Sequence, residues 1–189
     1  MDELLSYLKS LNLDEDGEGG RALPPVERWN PSKVGEIDIR IDREGHWHHE
    51  GGPIRRARLV RLFASILLRD GEDHFLVTPI EKLKIQVDDA PFLAVLMELD
   101  APGREQTIRF TTNLGDKIAL SANHSLRLGD GDDAEGAQVP YIHVRRGLEA
   151  RVNRSCYFDL INIAEPGENE SADGIGVYSD GKFFSLVSE

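Results

Sequence analysis

The sequence predicts an α+β protein made of two β-rich halves, each with one main helix. Three observations carry this expectation. Short alternating or apolar segments of strand length recur along the chain, separated by turns containing Gly, Asp or Pro. Beyond the N-terminus, clear helical periodicity is confined to "RARLVRLFASILL" (56–68) and, less cleanly, "LEARVNRSCYFDLINIA" (148–164). These two segments also align with each other. "RLVRLFASILL" from Arg58 lies on "RVNRSCYFDLI" from Arg151, which matches Arg58 with Arg151 and Arg61 with Arg154. Each is preceded by a strand candidate and a glycine and followed by a turn and a strand, "DGEDHFLV" or "SDGKFFSLV". The expectation is an internal duplication of a strand–helix–strand unit.

Taken in order, residues 2–11 place Leu4, Leu8 and Leu11 on one helical face with Leu5 beside it, which predicts a short amphipathic helix. An acidic, glycine-containing tether follows. The prolines of "LPPVERWNPS" favour extended or turn structure, and Trp29 is expected to cover a core edge. "EIDIRID" alternates Ile37, Ile39 and Ile41 with polar residues, and "HFLVTP" and "KLKIQV" are further strands. "FLAVLMELD" and "TIRFTTN" form an expected antiparallel pair around "APGRE". "DKIALS", "SLRL", "YIHVR" and "KFFSLV" complete the strands. The expected division is 1–23 for helix and tether, 24–79 for the first α+β domain and 80–189 for the second.

The 189 residues are enough for a real core. No apolar run approaches the ~20 residues that span a bilayer, and "MDELLSYLKSL" is acidic, against a signal peptide. The single cysteine, Cys156, excludes an internal disulfide and a cysteine-based zinc site, and the expected compartment is cytoplasmic. The net charge of −12 resides in three runs, "DEDGEG", "GDGDDAEG" and "EPGENESAD", with four acids each and no base. They account for the whole excess of 34 acids over 22 bases and read as solvated loops. Such a balance argues against nucleic-acid binding but leaves room for a local cationic site.

The chemistry concentrates in "GHWHHEGGPIRRARLVRLF" (45–63). On a strand, His46 and His48 share a face that Glu50 also occupies, while His49 points away. Nothing downstream completes a ligand set, so no metal site is expected. The arginines point elsewhere. Arg58, Arg61, Ser65 and Arg69 fall opposite the apolar stripe, and Arg55 and Arg56 sit at the helix start after Gly51, Gly52 and Pro53. Backbone amides at a helix N-terminus favour an anion, and guanidinium groups suit phosphate. Arg145, Arg146, Arg151 and Arg154 repeat the theme. No phosphate-binding loop, dinucleotide fingerprint or nucleophile elbow is present. Asp88 and Asp89 would suit a magnesium ion or acid–base work but read first as turn formers, His124 reads as a turn residue, and Cys156 as core.

The motifs "PPVERWNP", "GHWHHEGGPIRRARLVRLFASIL", "FLVTPIEKLKIQVDDAPF", "FTTNLGD" and "PYIHVRRGLEARVNRSCYFDLI" resemble the bacterial domain-of-unknown-function family 1285 over roughly residues 24 to 164. The resemblance implies a two-part α+β protein with internal duplication, its second half superficially like a pleckstrin-homology fold. It also implies a nucleotide-type ligand between the halves and a role in signal transduction. Position by position it implies contacts from Arg56, Thr78, Glu81, Lys82 and Asp89. Arg56 and Lys82 would supply charge, Trp47 would stack on a base, and Asp89 would accept from a base or ribose. Arg58, Arg61, Arg151 and Arg154 join the set from the repeat alone. The expected function is therefore non-enzymatic binding of an anionic, nucleotide-like small molecule, with no cofactor. Two alternatives remain: a protein-interaction adaptor, and a metal-dependent hydrolase using Asp88, Asp89 and nearby histidines.

Overall fold

Apolar alternation sets the first sheet. In β1 (Lys33–Ile41), Ile39 and Ile41 point into the core while Glu36, Asp38 and Arg40 stay exposed. The structure is a computed structural model that describes residues 4, 6–7, 23–101, 103–130, 138–168 and 174–187. Of the expected N-terminal helix, Leu4, Ser6 and Tyr7 are helical and Leu4 is fully buried; Leu5, Leu8 and Leu11 lie outside the described residues, as does the tether. Trp29 is half-buried and meets Tyr7 edge-on at 5.6 Å. The acidic runs at 129–136 and 165–173 are described only in part.

The chain divides into two units, Met1–Asp89 and Ala90–Glu189. The first continues from β1 through β2 (Trp47–His49), β3 (Gly52–Pro53), helix α1 (Ala57–Ser65), β4 (Leu67–Asp70), β5 (Asp73–Val77) and β6 (Glu81–Val87). These strands form one mixed sheet in the order β3-β2-β1-β6-β5-β4, parallel only where β1 meets β6. The expected boundary at 79/80 would remove β6 from the centre of this sheet; the structure divides after β6 instead. In α1, Val60, Phe63 and Ala64 are buried at i, i+3 and i+4 spacing, while Arg58 and Arg61 are exposed.

The second unit holds β7 (Phe92–Leu99), β8 (Ile108–Thr112), β9 (Lys117–Ala119), β10 (Leu126–Asp130), β11 (Gln138–Arg145) and β12 (Leu148–Val152). Helix α2 (Arg154–Asn162) follows, then a small sheet of β13 (Glu165–Pro166), β14 (Ile175–Ser179) and β15 (Lys182–Ser185). The six-stranded sheet runs β10-β11-β12-β7-β8-β9, again parallel only at its central β12–β7 pair. With each sheet's strands counted one to six, both have the same order: 4-5-6-1-2-3.

The helices do not share this correspondence. α1 lies between the third and fourth strands of its sheet, whereas α2 follows the sixth of its own. The strand–helix–strand repeat is corrected accordingly: Arg58 is on α1, but Arg151 is on β12 and Arg154 is the first residue of α2. Two local signals explain the difference. The Asn153 side chain accepts from the Cys156 amide at 2.8 Å, a cap that starts the helix there. Arg146 and Gly147, both at positive φ (51° and 73°), form a two-residue hairpin that starts β12 at Leu148. "LEARV" then alternates, with Leu148, Ala150 and Val152 buried. α1 likewise ends at Ser65, and the apolar "LL" of 67–68 opens β4 rather than continuing the helix.

Candidate functional site

The first candidate is the start of α1. The Ile54 amide donates to the Trp47 carbonyl at 2.7 Å, which seats the approach to the helix against β2. Arg56 occupies the N-cap position with no side-chain cap, and the first turn holds no acid. The amides of the first turn have no intrahelical acceptor by construction. Around them Arg55, Arg56, Arg58 and Arg61 are exposed. Among the described residues Arg56 and Arg61 form no ion pair, while Arg58 has an interaction of its own. Ser65 and Arg69 do not join this face. Ser65 is buried and donates to the Leu62 carbonyl at 2.7 Å, and Arg69 is on β4.

The contacts implied by the family motifs separate into two groups. Thr78, Glu81 and Lys82 sit at the N-terminal end of β6. Thr78 is buried, and its Oγ1 accepts from the Ile80 amide at 3.3 Å and the Glu81 amide at 3.0 Å, stapling the β5–β6 turn. The Glu81 carboxylate is buried, with Oε2 3.2 Å from Lys33 Nζ and Oε1 without a hydrogen-bond partner among the described residues. Lys82 Nζ lies 2.5 Å from Asp70 Oδ2 and 4.3 Å from the centre of the Phe75 ring. Arg56, Trp47 and Asp89 belong to the other end: Trp47 pairs with Ile41, and Ile41 with Val87. Six strand residues, about 20 Å, separate the groups, so no single phosphate touches both. Trp47 is 2% exposed and stacks on Phe63, which leaves no face for a base. Asp89 is half-buried.

In the second unit Arg151 is half-buried on β12, Arg154 is exposed, and Arg145 reaches Asp116 at 2.9 Å while lying over Phe92. Cys156 is core, and burial pushes its thiol pKa up. His124 and His143 stack at 5.9 Å, each Nδ1 against a backbone carbonyl.

A second cluster forms in the β1–β2 hairpin. Asp42 Oδ1 accepts from the Glu44 amide at 3.1 Å and the His46 amide at 2.8 Å. Its Oδ2 lies 2.8 Å from His48 Nε2 and 3.4 Å from His46 Nδ1. The Glu44 carboxylate joins them, so that ligand atoms of Asp42, Glu44 and His46 lie within 4.8 Å of one another. Burial pushes the Asp42 carboxyl up, but the hydrogen bonds from His48 and the His46 amide outweigh it and hold the carboxyl below its ordinary value. Beside it Arg40 clasps Asp88, Nε lying 2.8 and 3.0 Å from the two carboxylate oxygens, and Gln86 adds a bond of 3.1 Å. The hydrogen bond from Arg40 holds the Asp88 carboxyl below its ordinary value, and a magnesium ion there would have to displace Arg40. The sequence reading missed Asp42 and Glu44. Their signal is D-x-E-x-H-x-H, which extends upstream from the histidines rather than downstream.

The comparisons with known proteins follow this division. Residues 24–90 match the family model described as the N-terminal domain of DUF1285, a domain of unknown function, and residues 91–186 match its C-terminal domain. The chain belongs to the DUF1285 family. It is similar to the crystal structure of a DUF1285 family protein from Silicibacter pomeroyi DSS-3, with 39% identity, 98% of this chain and 94% of that one covered, and a TM-score of 0.84. A DUF1285 family protein from Shewanella baltica OS155 is 31% identical over 66% of this chain and 90% of its own, with a TM-score of 0.52. No curated protein matches. Among the described residues, no helix is long and apolar enough to cross a membrane.

Proposed function

We propose that this DUF1285 protein is a non-enzymatic, cytoplasmic binder of an anionic, nucleotide-like small molecule, acting in signal transduction. The observation that carries the reading is the start of α1. Four arginines lie within residues 55–61 with no acid among them, around a helix N-terminus with neither a side-chain cap nor an acid in its first turn. In a chain of net charge −12 such a local excess of positive charge is a specific feature. Guanidinium forks and free amides together suit a phosphate group. The family-implied contacts at Thr78, Glu81 and Lys82 support the reading less, because local interactions already engage them. The shared 4-5-6-1-2-3 strand order supports internal duplication, and the order of a sheet followed by a helix in residues 90–162 supports the pleckstrin-like description of the second half.

A protein-partner reading has its own support in exposed apolar side chains, Phe158 and Ile161 on α2 and Val95 and Leu96 on β7. A metal-dependent hydrolase built on Asp88 is disfavoured by the Arg40 clasp. A thermal-shift screen against nucleotides, cyclic dinucleotides and phosphorylated metabolites tests the anion reading. A ligand at ~100 times its dissociation constant stabilises by about 2.7 kcal/mol, a rise of roughly 5–10 °C at this chain length. The rise should vanish in Arg56→Ala/Arg61→Ala; a flat screen, or a shift that this variant keeps, rejects it.

A further inference from the structure

We infer that the β1–β2 hairpin is a binding site for a divalent transition-metal ion of the zinc type, with Asp42, Glu44, His46 and His48 as ligands. This goes beyond the anion-binding reading and uses none of its residues. The four positions alternate along seven residues of chain; ligand atoms of Asp42, Glu44 and His46 lie within 4.8 Å of one another, and His48 joins through Asp42, whose Oδ2 is 2.8 Å from its Nε2. The pairing of Ile41 with Trp47 and Arg40 with His48 fixes the two arms.

The geometry suits the ion. Tetrahedral zinc with bonds of about 2.0 Å holds its ligand atoms about 3.3 Å apart. His48 Nε2 and His46 Nδ1 already lie 2.8 and 3.4 Å from the same oxygen, Asp42 Oδ2, and coordination by all four requires the exposed Glu44 and His46 side chains to turn toward His48, which lies outside the 4.8 Å group. The other oxygen, Oδ1, is held by the Glu44 and His46 amides, which orients Oδ2 toward the imidazoles in the way that supporting hydrogen bonds orient a metal ligand. A capped turn by itself needs only Asp42. It needs neither a second imidazole on the same carboxylate nor the Glu44 carboxylate within 4.8 Å of Asp42, where two anions repel. A cation accounts for both. Two nitrogen donors select a borderline ion over calcium or magnesium. Two guanidinium groups border the groove: Arg40, which pairs with Asp88 and also feels the charges of Asp42 and Glu44, and Arg43.

The test uses full-length protein without a histidine tag, stripped with a chelator and titrated with Zn2+ against a chromophoric competitor. One equivalent should bind with micromolar or tighter affinity, and X-ray absorption should show a shell of nitrogen and oxygen that includes two imidazoles. His46→Gln/His48→Gln should weaken binding at least about tenfold. Glu44→Gln, a change on an exposed side chain, should weaken it while leaving the circular dichroism unchanged. His124→Gln/His143→Gln should leave affinity unaltered. The site is rejected if wild-type protein shows no saturable binding at micromolar Zn2+, if affinity survives the His46/His48 change, or if the His124/His143 change is the one that lowers it.

Discussion

The indole of Trp47 lies on the ring of Phe63 with centroids 6.0 Å apart and planes inclined by 17°. One residue comes from β2 and the other from α1, and both are almost fully buried. This stack is how the sheet and the helix of the first unit recognise each other. It gives Trp47 a structural role in the core of the first unit.

Trp47→Ala should therefore cost about 3–5 kcal/mol, as for large aromatic residues removed from cores. Phe63→Ala should fall in the same range. Urea denaturation of the two single variants and the double variant should yield a coupling of about 0.5–1.5 kcal/mol beyond area burial. Additive losses would show that the stack contributes burial alone. Trp47→Phe, which keeps an aromatic body, should retain most of the stability.

The Arg40–Asp88 clasp carries a pH dependence whose sign follows from the direction of the shift. Asp88 is held below its ordinary value chiefly by the hydrogen bond from Arg40, and Asp42 is also lowered. A carboxyl depressed by folding contributes stability that is fully present above its unfolded value, about 3.9. That stability is lost as pH falls through the folded value. The melting temperature of the wild type should thus fall more steeply below about pH 4 than that of Asp88→Asn. Parallel curves for the two proteins would show that the clasp contributes nothing to folding.

How much of this was legible in sequence differs by element. β1 and β6 could be read from alternation, because each buries one face, whereas β5 buries the adjacent Leu76 and Val77 and was legible only as a short apolar run. β4 and β12 were hidden inside helical readings. "LL" at 67–68 is apolar in either periodicity, and "LEARV" joins a helical stripe unless Asn153 is recognised as a cap and Arg146–Gly147 as a turn. β2 and β3 are too short for any period to show. The site residues divide by range. The D-x-E-x-H-x-H pattern of 42–48 is local and could have been read. The separation of Arg56 and Asp89 from Thr78, Glu81 and Lys82 depends on the parallel pairing of β1 with β6, which joins residues far apart in sequence and leaves no local trace.

Thr78 gives that separation an experimental consequence. Its hydroxyl accepts from two turn amides, Ile80 and Glu81, while its own amide donates to the Glu81 carbonyl at 2.8 Å. Thr78→Val keeps the shape and the β-branch but leaves the buried Glu81 amide without its acceptor, a loss of about 1–3 kcal/mol. Chemical denaturation should register it, with the urea dependence unchanged. A ligand held at the start of α1, the length of β6 away, should bind this variant with wild-type affinity. If Thr78→Val instead weakened an identified ligand while leaving the unfolding midpoint in place, Thr78 would be a ligand contact, as the family motifs imply, and the turn would be held by its remaining bonds.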